Sequence, residues 1–168
     1  MEMETAAKTR PYYRYDEICS WPVIGGWSVC PDNPRYHVCV CSEAYIYPSV
    51  LLGSEARVEA GAAVKAGAVV GCGAKVGAGV RVESGAVVES EAVIGPWVRV
   101  GAGARIGSGA RIGSGARIGS GARIGSEAKV GAGATVEYDA VVGSRAVVES
   151  GEVVESGEVV GVGEEVRQ

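Results

Sequence analysis

Phenylalanine is absent from this chain, and histidine occurs once, as His37. No apolar stretch approaches the ~18 residues that a membrane span requires. The missing phenylalanine argues against an ordinary mixed core, which fills its space with large aromatics. The first ten residues, MEMETAAKTR, contain no apolar segment of the secretory type. A formal net charge of −4 and a pI near 5.1 argue against the chain as a whole being a polyanion binder. Its five cysteines are an odd number, which points to a reducing compartment or at least one free thiol. The expectation is a protein without a membrane segment, cytoplasmic or part of an assembled particle.

Glycine is what the chain has in excess, 27 residues of 168, with Val, Ala, Glu and Arg dominating the last two thirds. Glycine with β-branched residues at this density suggests tight turns joined by short strands. The tandem ARIGSG at 104–109, 110–115 and 116–121 sets a period of six. Extended outward from Ile106, that period lands on 22 positions from Val40 to Val166, and each is Val, Ile or Leu. Three residues after most of them stands Gly, as at Gly61, Gly85, Gly109 and Gly133, and four after stands Ala, from Ala56 to Ala146. The aliphatic points inward from a short strand, the Gly supplies a positive φ at a corner, and the Ala fills the inner corner. A helix is excluded, because six matches neither 3.6 nor 3.5 and this much Gly would break it.

Quoted as IGSGAR at 106–111 and VGAGAT at 130–135, the repeat resembles the hexapeptide-repeat, left-handed parallel β-helix superfamily over residues 40–166. The resemblance implies an all-β fold with three hexads per triangular coil. About seven coils of 18 residues, each rising ~4.8 Å, would make a prism on the order of 34 Å long. It also implies left-handed crossovers, against the usual right-handed rule. Members are typically trimers. Many are acyltransferases with a histidine base, and another branch resembles γ-type carbonic anhydrases with three histidines on zinc. His37 precedes the repeats and the six-residue phase never breaks for a loop, so neither site is expected to assemble here. Residues 1–39 differ in composition, with Tyr12, Tyr13, Tyr15, Trp21, Trp27, Tyr36 and four prolines. They are expected to form an irregular cap over the first coil of a β-helix spanning 40–168.

Four groups of residues are candidates for function. His37, Cys39 and Cys41 alternate along one strand and share its outward face; with Cys30 or Cys19 they could hold zinc, or the thiols could be disulfide-bonded or free. Arg99, Arg105, Arg111, Arg117, Arg123 and Lys129 each precede an inward aliphatic and so point outward. Residues 18 apart stack on adjacent coils, with Gly101, Gly107, Gly113, Gly119, Gly125 and Gly131 beside them. Such a band suits an acidic protein surface or a phosphate polymer, unless it is merely solvated. Val141, Val147, Val153 and Val159 take the same outward position in the later coils and, with Trp97, suggest an interface with further copies. Glu152, Glu158 and Glu164 replace the corner Ala three times running, one at each corner of the last triangle. There they would guard a free strand edge or sit in frayed corners.

These features lead to the expectation of a non-catalytic structural or assembly protein, a rigid homo-oligomeric prism without a cofactor apart from zinc in the cap. A transferase-like enzyme of the same superfamily is the alternative, and the perfect tandem also admits an engineered repeat. Ice binding is disfavoured, because the flat Thr ladders it uses are missing and Thr135 stands alone in the repeats.

Overall fold

The computed structural model describes the backbone of residues 12–14, 23–24, 27–30, 33–41 and 43–167, with side chains from residue 37 onward. Every described regular element is a strand. The first six are β1 (Tyr12–Arg14), β2 (Val23–Ile24), β3 (Trp27–Cys30), β4 (Asn33–Val40), β5 (Tyr45–Ile46) and β6 (Leu51–Gly53). From β7 (Arg57–Val58) to β25 (Glu165–Val166) a two-residue strand recurs every six residues. Each strand pairs in parallel with the one three further on. Arg105 and Ile106 thus lie beside Arg123 and Ile124, 18 residues later. Three sheets result, forming the walls of a left-handed parallel β-helix of about seven coils, as the six-residue period predicts.

The hexad accounts for most of its own backbone donors, as a buried backbone must. Taking the unit around Ile106, the Arg105 N–H donates to Ala122 of the next coil (2.9 Å) and the Gly107 N–H to Ile124 (2.8 Å). The Gly109 N–H reaches back to Ser90 of the preceding coil (3.0 Å), and the Ala110 N–H closes the corner turn onto Gly107 (3.1 Å). The Ile106 side chain and the Ala110 methyl are fully buried in one continuous core that runs down the axis. Three corners, Val50, Val80 and Val98, take a larger side chain than Ala and still bury it completely.

The corner position has a positive φ, near 69° at Gly109. Seven residues other than Gly also occupy it: Ser49, Glu55, Glu91, Trp97, Glu127, Asp139 and Arg145, with φ between 54° and 65°. Each carries a steric cost of about 1–2 kcal/mol against glycine. The corner therefore tolerates a side chain where something else favours one.

The N-terminal segment departs from the irregular cap expected of it. β1 pairs antiparallel with β6, β3 pairs antiparallel with β4, and β2 with β3 forms a further antiparallel pair. The physical reason is edge satisfaction: antiparallel strands occupy the open hydrogen-bonding edge of the first coil on two of its three walls. The expected boundary at 39/40 falls inside β4, whose Cys39 and Val40 already pair with Arg57 and Val58. Tyr15 and Trp21 lie outside the described residues.

Candidate functional site

The six cations form a belt around the prism rather than a patch on one wall. Arg99 stacks on Arg117, with Arg81 on the other side, along one wall. Arg105 stacks on Arg123 along a second, and Arg111 on Lys129 along the third. All are exposed, while the residue after each is buried. No ion pair to a described residue neutralises any of the six; the pairs present elsewhere include Lys65 with Glu83 (2.7 Å) and Arg167 with Glu165 (3.6 Å). Stacked like charges about 4.8 Å apart repel one another mildly, so the belt is held in place by the fold and not by its own contacts.

The wall of Arg111 and Lys129 carries a groove. Its volume is about 470 Å³, the two cations border it, and its floor includes Gly95, Gly113 and Gly131. A second cavity of about 380 Å³ adjoins it, sharing Arg111, Lys129 and Val147 and adding Glu127 and Arg145. The glycine floor has a structural cause. A Cβ on Gly113 would sit 2.5 Å from the Ala132 nitrogen of the next coil, so a side chain there would displace backbone. The result is bare backbone between two unpaired cations. Glu149, Ser114 and Ser150 also line the larger cavity, and Glu149 is the acidic side chain among its lining residues. Glu127, Arg145, Glu149 and the two serines were not singled out in the sequence. The signal for Glu127 and Arg145 is their place at corner positions where most coils have Gly.

The donors suggested for zinc lie on or near the first rungs of the same sheet. His37, Cys39, Val40 and Cys41 are half-buried, and Val38 between His37 and Cys39 is fully buried. Cys39, Cys41 and Cys72 are not in disulfides. Cys30 is on β3, and its side chain and that of Cys19 lie outside the described residues. Among the described residues no three His, Cys, Asp or Glu side chains converge as a metal site would require.

The outward valines are spread over the three walls. Val141 and Val159 stack as neighbours on one wall, Val147 lies on the groove wall, and Val153 is on the third. Val159 and Val153 are exposed, and the other two are partly covered. Trp97 is 72% exposed at its corner, with its ring lying against Gly79 of the coil before it. Tyr138 and Val162 are also exposed at corners and were not anticipated. The three corner glutamates are not equivalent: Glu152 is half-buried, while Glu158 and Glu164 are exposed.

With the geometry established, the chain can be compared with known proteins. Residues 85–120 match the family model described as bacterial transferase hexapeptide (six repeats). No curated protein matches the chain in sequence. Among solved structures, the perosamine N-acetyltransferase of Caulobacter crescentus, in complex with CoA and GDP-perosamine, superposes with a TM-score of 0.57 at 23% identity, over 76% of this chain and 52% of that one. WeeI from Acinetobacter baumannii gives 0.59 at 18% identity, over 79% and 55%. The UDP-N-acetylglucosamine acyltransferase of Francisella novicida gives 0.51 at 15%, over 70% and 56%. The chain thus spans about half the length of each, and at these identities the likeness shows the fold.

The chain carries the hexapeptide-repeat left-handed β-helix of the bacterial transferases, as its repeat implies. The expectation of a non-catalytic structural or assembly protein is corrected by the same comparisons. The repeat model that matches is a transferase model, which favours the enzyme alternative. The expectation went wrong by treating a missing histidine and a missing loop as evidence against chemistry. Both are features of one known way to build a site on this fold. No helix among the described residues is long and apolar enough to cross a membrane.

Proposed function

We propose that the chain is the β-helix of a hexapeptide-type acyltransferase, and that the groove beside Arg111 and Lys129 holds the phosphate-bearing part of a ligand. The observation that carries this reading is the unpaired Arg111–Lys129 rung over a glycine floor. Two cations without carboxylate partners favour an anion, and bare backbone lets it approach closely. Coenzyme A and GDP-perosamine, which occupy the Caulobacter relative, both carry phosphates. In transfer from a thioester to an amine, the amine nitrogen attacks the carbonyl carbon, the C–S bond breaks and the thiol leaves. The proton lost by the amine needs an acceptor, and Glu149 is the carboxylate lining the groove. Arg111 and Lys129 would bind and orient, while Glu149 would take the proton. Self-association, a trimer by the resemblance, would use the Val141–Val159 rung.

The test is thiol release from acetyl coenzyme A with amino-sugar nucleotides as acceptors. The expected result is turnover by the parent chain. Glu149→Gln should lower kcat by about a hundredfold or more, in the range of general-base losses, with donor affinity unchanged. Donor that binds neither the parent nor a longer form of the protein would count against this reading.

A further inference from the structure

The Arg111–Lys129 rung has a cavity on each of its sides. Two residues after each cation stands the glycine floor, Gly113 and Gly131, in the groove of about 470 Å³. Two residues before each cation stands a corner, Gly109 and Glu127, in the adjoining cavity of about 380 Å³. Arg145, at the same corner one coil further on, lines that second cavity as well. The corner cavity therefore gathers three cations, Arg111, Lys129 and Arg145, against the one carboxylate of Glu127.

The fold alone gives no reason for Arg145. Its φ is 59°, in the left-handed region where most corners have Gly. Glu91, Trp97, Glu127 and Asp139 each follow a corner Gly in the coil before, and each side chain lies toward that Gly. Arg145 instead follows Glu127, 18 residues earlier. The two are stacked and opposite in charge, yet they make no ion pair. The Glu127 side chain leans the other way, its Cγ 3.6 Å from where a Cβ on Gly109 would stand. Arg145 is thus a strained, exposed guanidinium whose stacked carboxylate is turned to another coil. A ligand anion would supply the partner that the fold does not.

We propose that the corner cavity is a second anion subsite, so that this wall takes a ligand with two phosphate groups set apart by a spacer. The proposal rests on the reading of the groove as a phosphate site and adds the class of phosphate compound that fits it. Floor and corner are four residues apart, up to about 13 Å at 3.3 Å per residue, and less between anions that the shared rung draws inward. The phosphates of a diphosphate share one bridging oxygen and cannot occupy both sides of the rung. A nucleotide phosphorylated at both its 3′ and 5′ positions holds them apart across its ribose. Arg111 and Lys129 would bind on both sides, and Arg145 would select for the second phosphate.

Calorimetric titration at low salt compares adenosine 3′,5′-bisphosphate with ADP, whose two phosphates are joined to each other. The parent should bind the first about tenfold more tightly, the worth of one charge-assisted hydrogen bond. Arg145→Gly should abolish that preference and leave the affinity for ADP unchanged, whereas Arg145→Lys should keep part of it. Glycine is the commonest residue at these corners, so Arg145→Gly should melt no lower than the parent. Equal affinity of the parent for the two nucleotides needs no variant to read. That result, or equal weakening of both by Arg145→Gly, would overturn the second subsite and leave the groove reading standing. A parent that binds neither nucleotide would overturn both.

Discussion

The coils around residues 99–131 and those around 137–166 share one interior and have opposite exteriors. Inward, both continue the same Val and Ile ladder, buried to within a few per cent as far as Val160. Outward, the first set presents Arg or Lys beside Gly, and the second presents Val and Glu. The fold needs only the inward residue, the corner and the small residue after it, so the outward positions are free to carry function. In this chain that freedom produced a basic belt over bare backbone, followed by an apolar and acidic end. A solenoid makes such a division straightforward because each coil contacts only its neighbours.

The comparison breaks most severely if the interior is disturbed. Ile118→Ala, at a fully packed middle position, should lose about 2–5 kcal/mol of stability. Val154→Ala should cost somewhat less, since it removes one methylene fewer; denaturant titration of the two variants gives the ratio. A loss below about 0.5 kcal/mol for either variant would mean that the inward ladder does not hold the prism together. Next in size is the glycine floor. Gly113→Ala places a Cβ against the Ala132 backbone and should cost about 1–3 kcal/mol, while Ala132→Ser nearby should cost little.

Much of this architecture was legible in the sequence. Ile106 and its 21 counterparts give the coil, the corner and the stacking register directly, because one side chain per hexad must face a narrow axis. The register of Arg105 on Arg123 follows from arithmetic alone. The groove was less legible. The spacing of 18 already sorts the six cations into three ladders, but nothing in it marks the cavity beside Arg111 and Lys129. Nothing in the linear pattern marks Glu149 or Ser150, which reach that groove from a neighbouring coil. The N-terminal strands were missed because their pairing is non-local and antiparallel, with no periodicity to announce it.

Two smaller effects sharpen the contrast between the regions. Glu127→Gly relieves a positive-φ corner and should add about 1 kcal/mol of stability, read as a higher melting temperature. A loss instead would show that the Glu127 carboxylate is held by its surroundings strongly enough to outweigh the strain. Val141→Lys with Val159→Lys should change stability by no more than about 0.5 kcal/mol, as exposed substitutions do. Light scattering should nevertheless report a lower oligomer mass with an unchanged β signal. An unchanged mass would remove that rung from the interface.

The central claim is that the three walls, alike in charge, are unlike in binding. Calorimetric titration of acetyl coenzyme A into three paired variants at low salt tests it: Arg111→Ser with Lys129→Ser, Arg105→Ser with Arg123→Ser, and Arg99→Ser with Arg117→Ser. The expected result is a loss of about tenfold or more in affinity for the first pair, the worth of one or two charge-assisted hydrogen bonds, and near-parental binding for the other two. Equal weakening in all three would contradict the claim and leave the belt a diffuse cationic surface with no site.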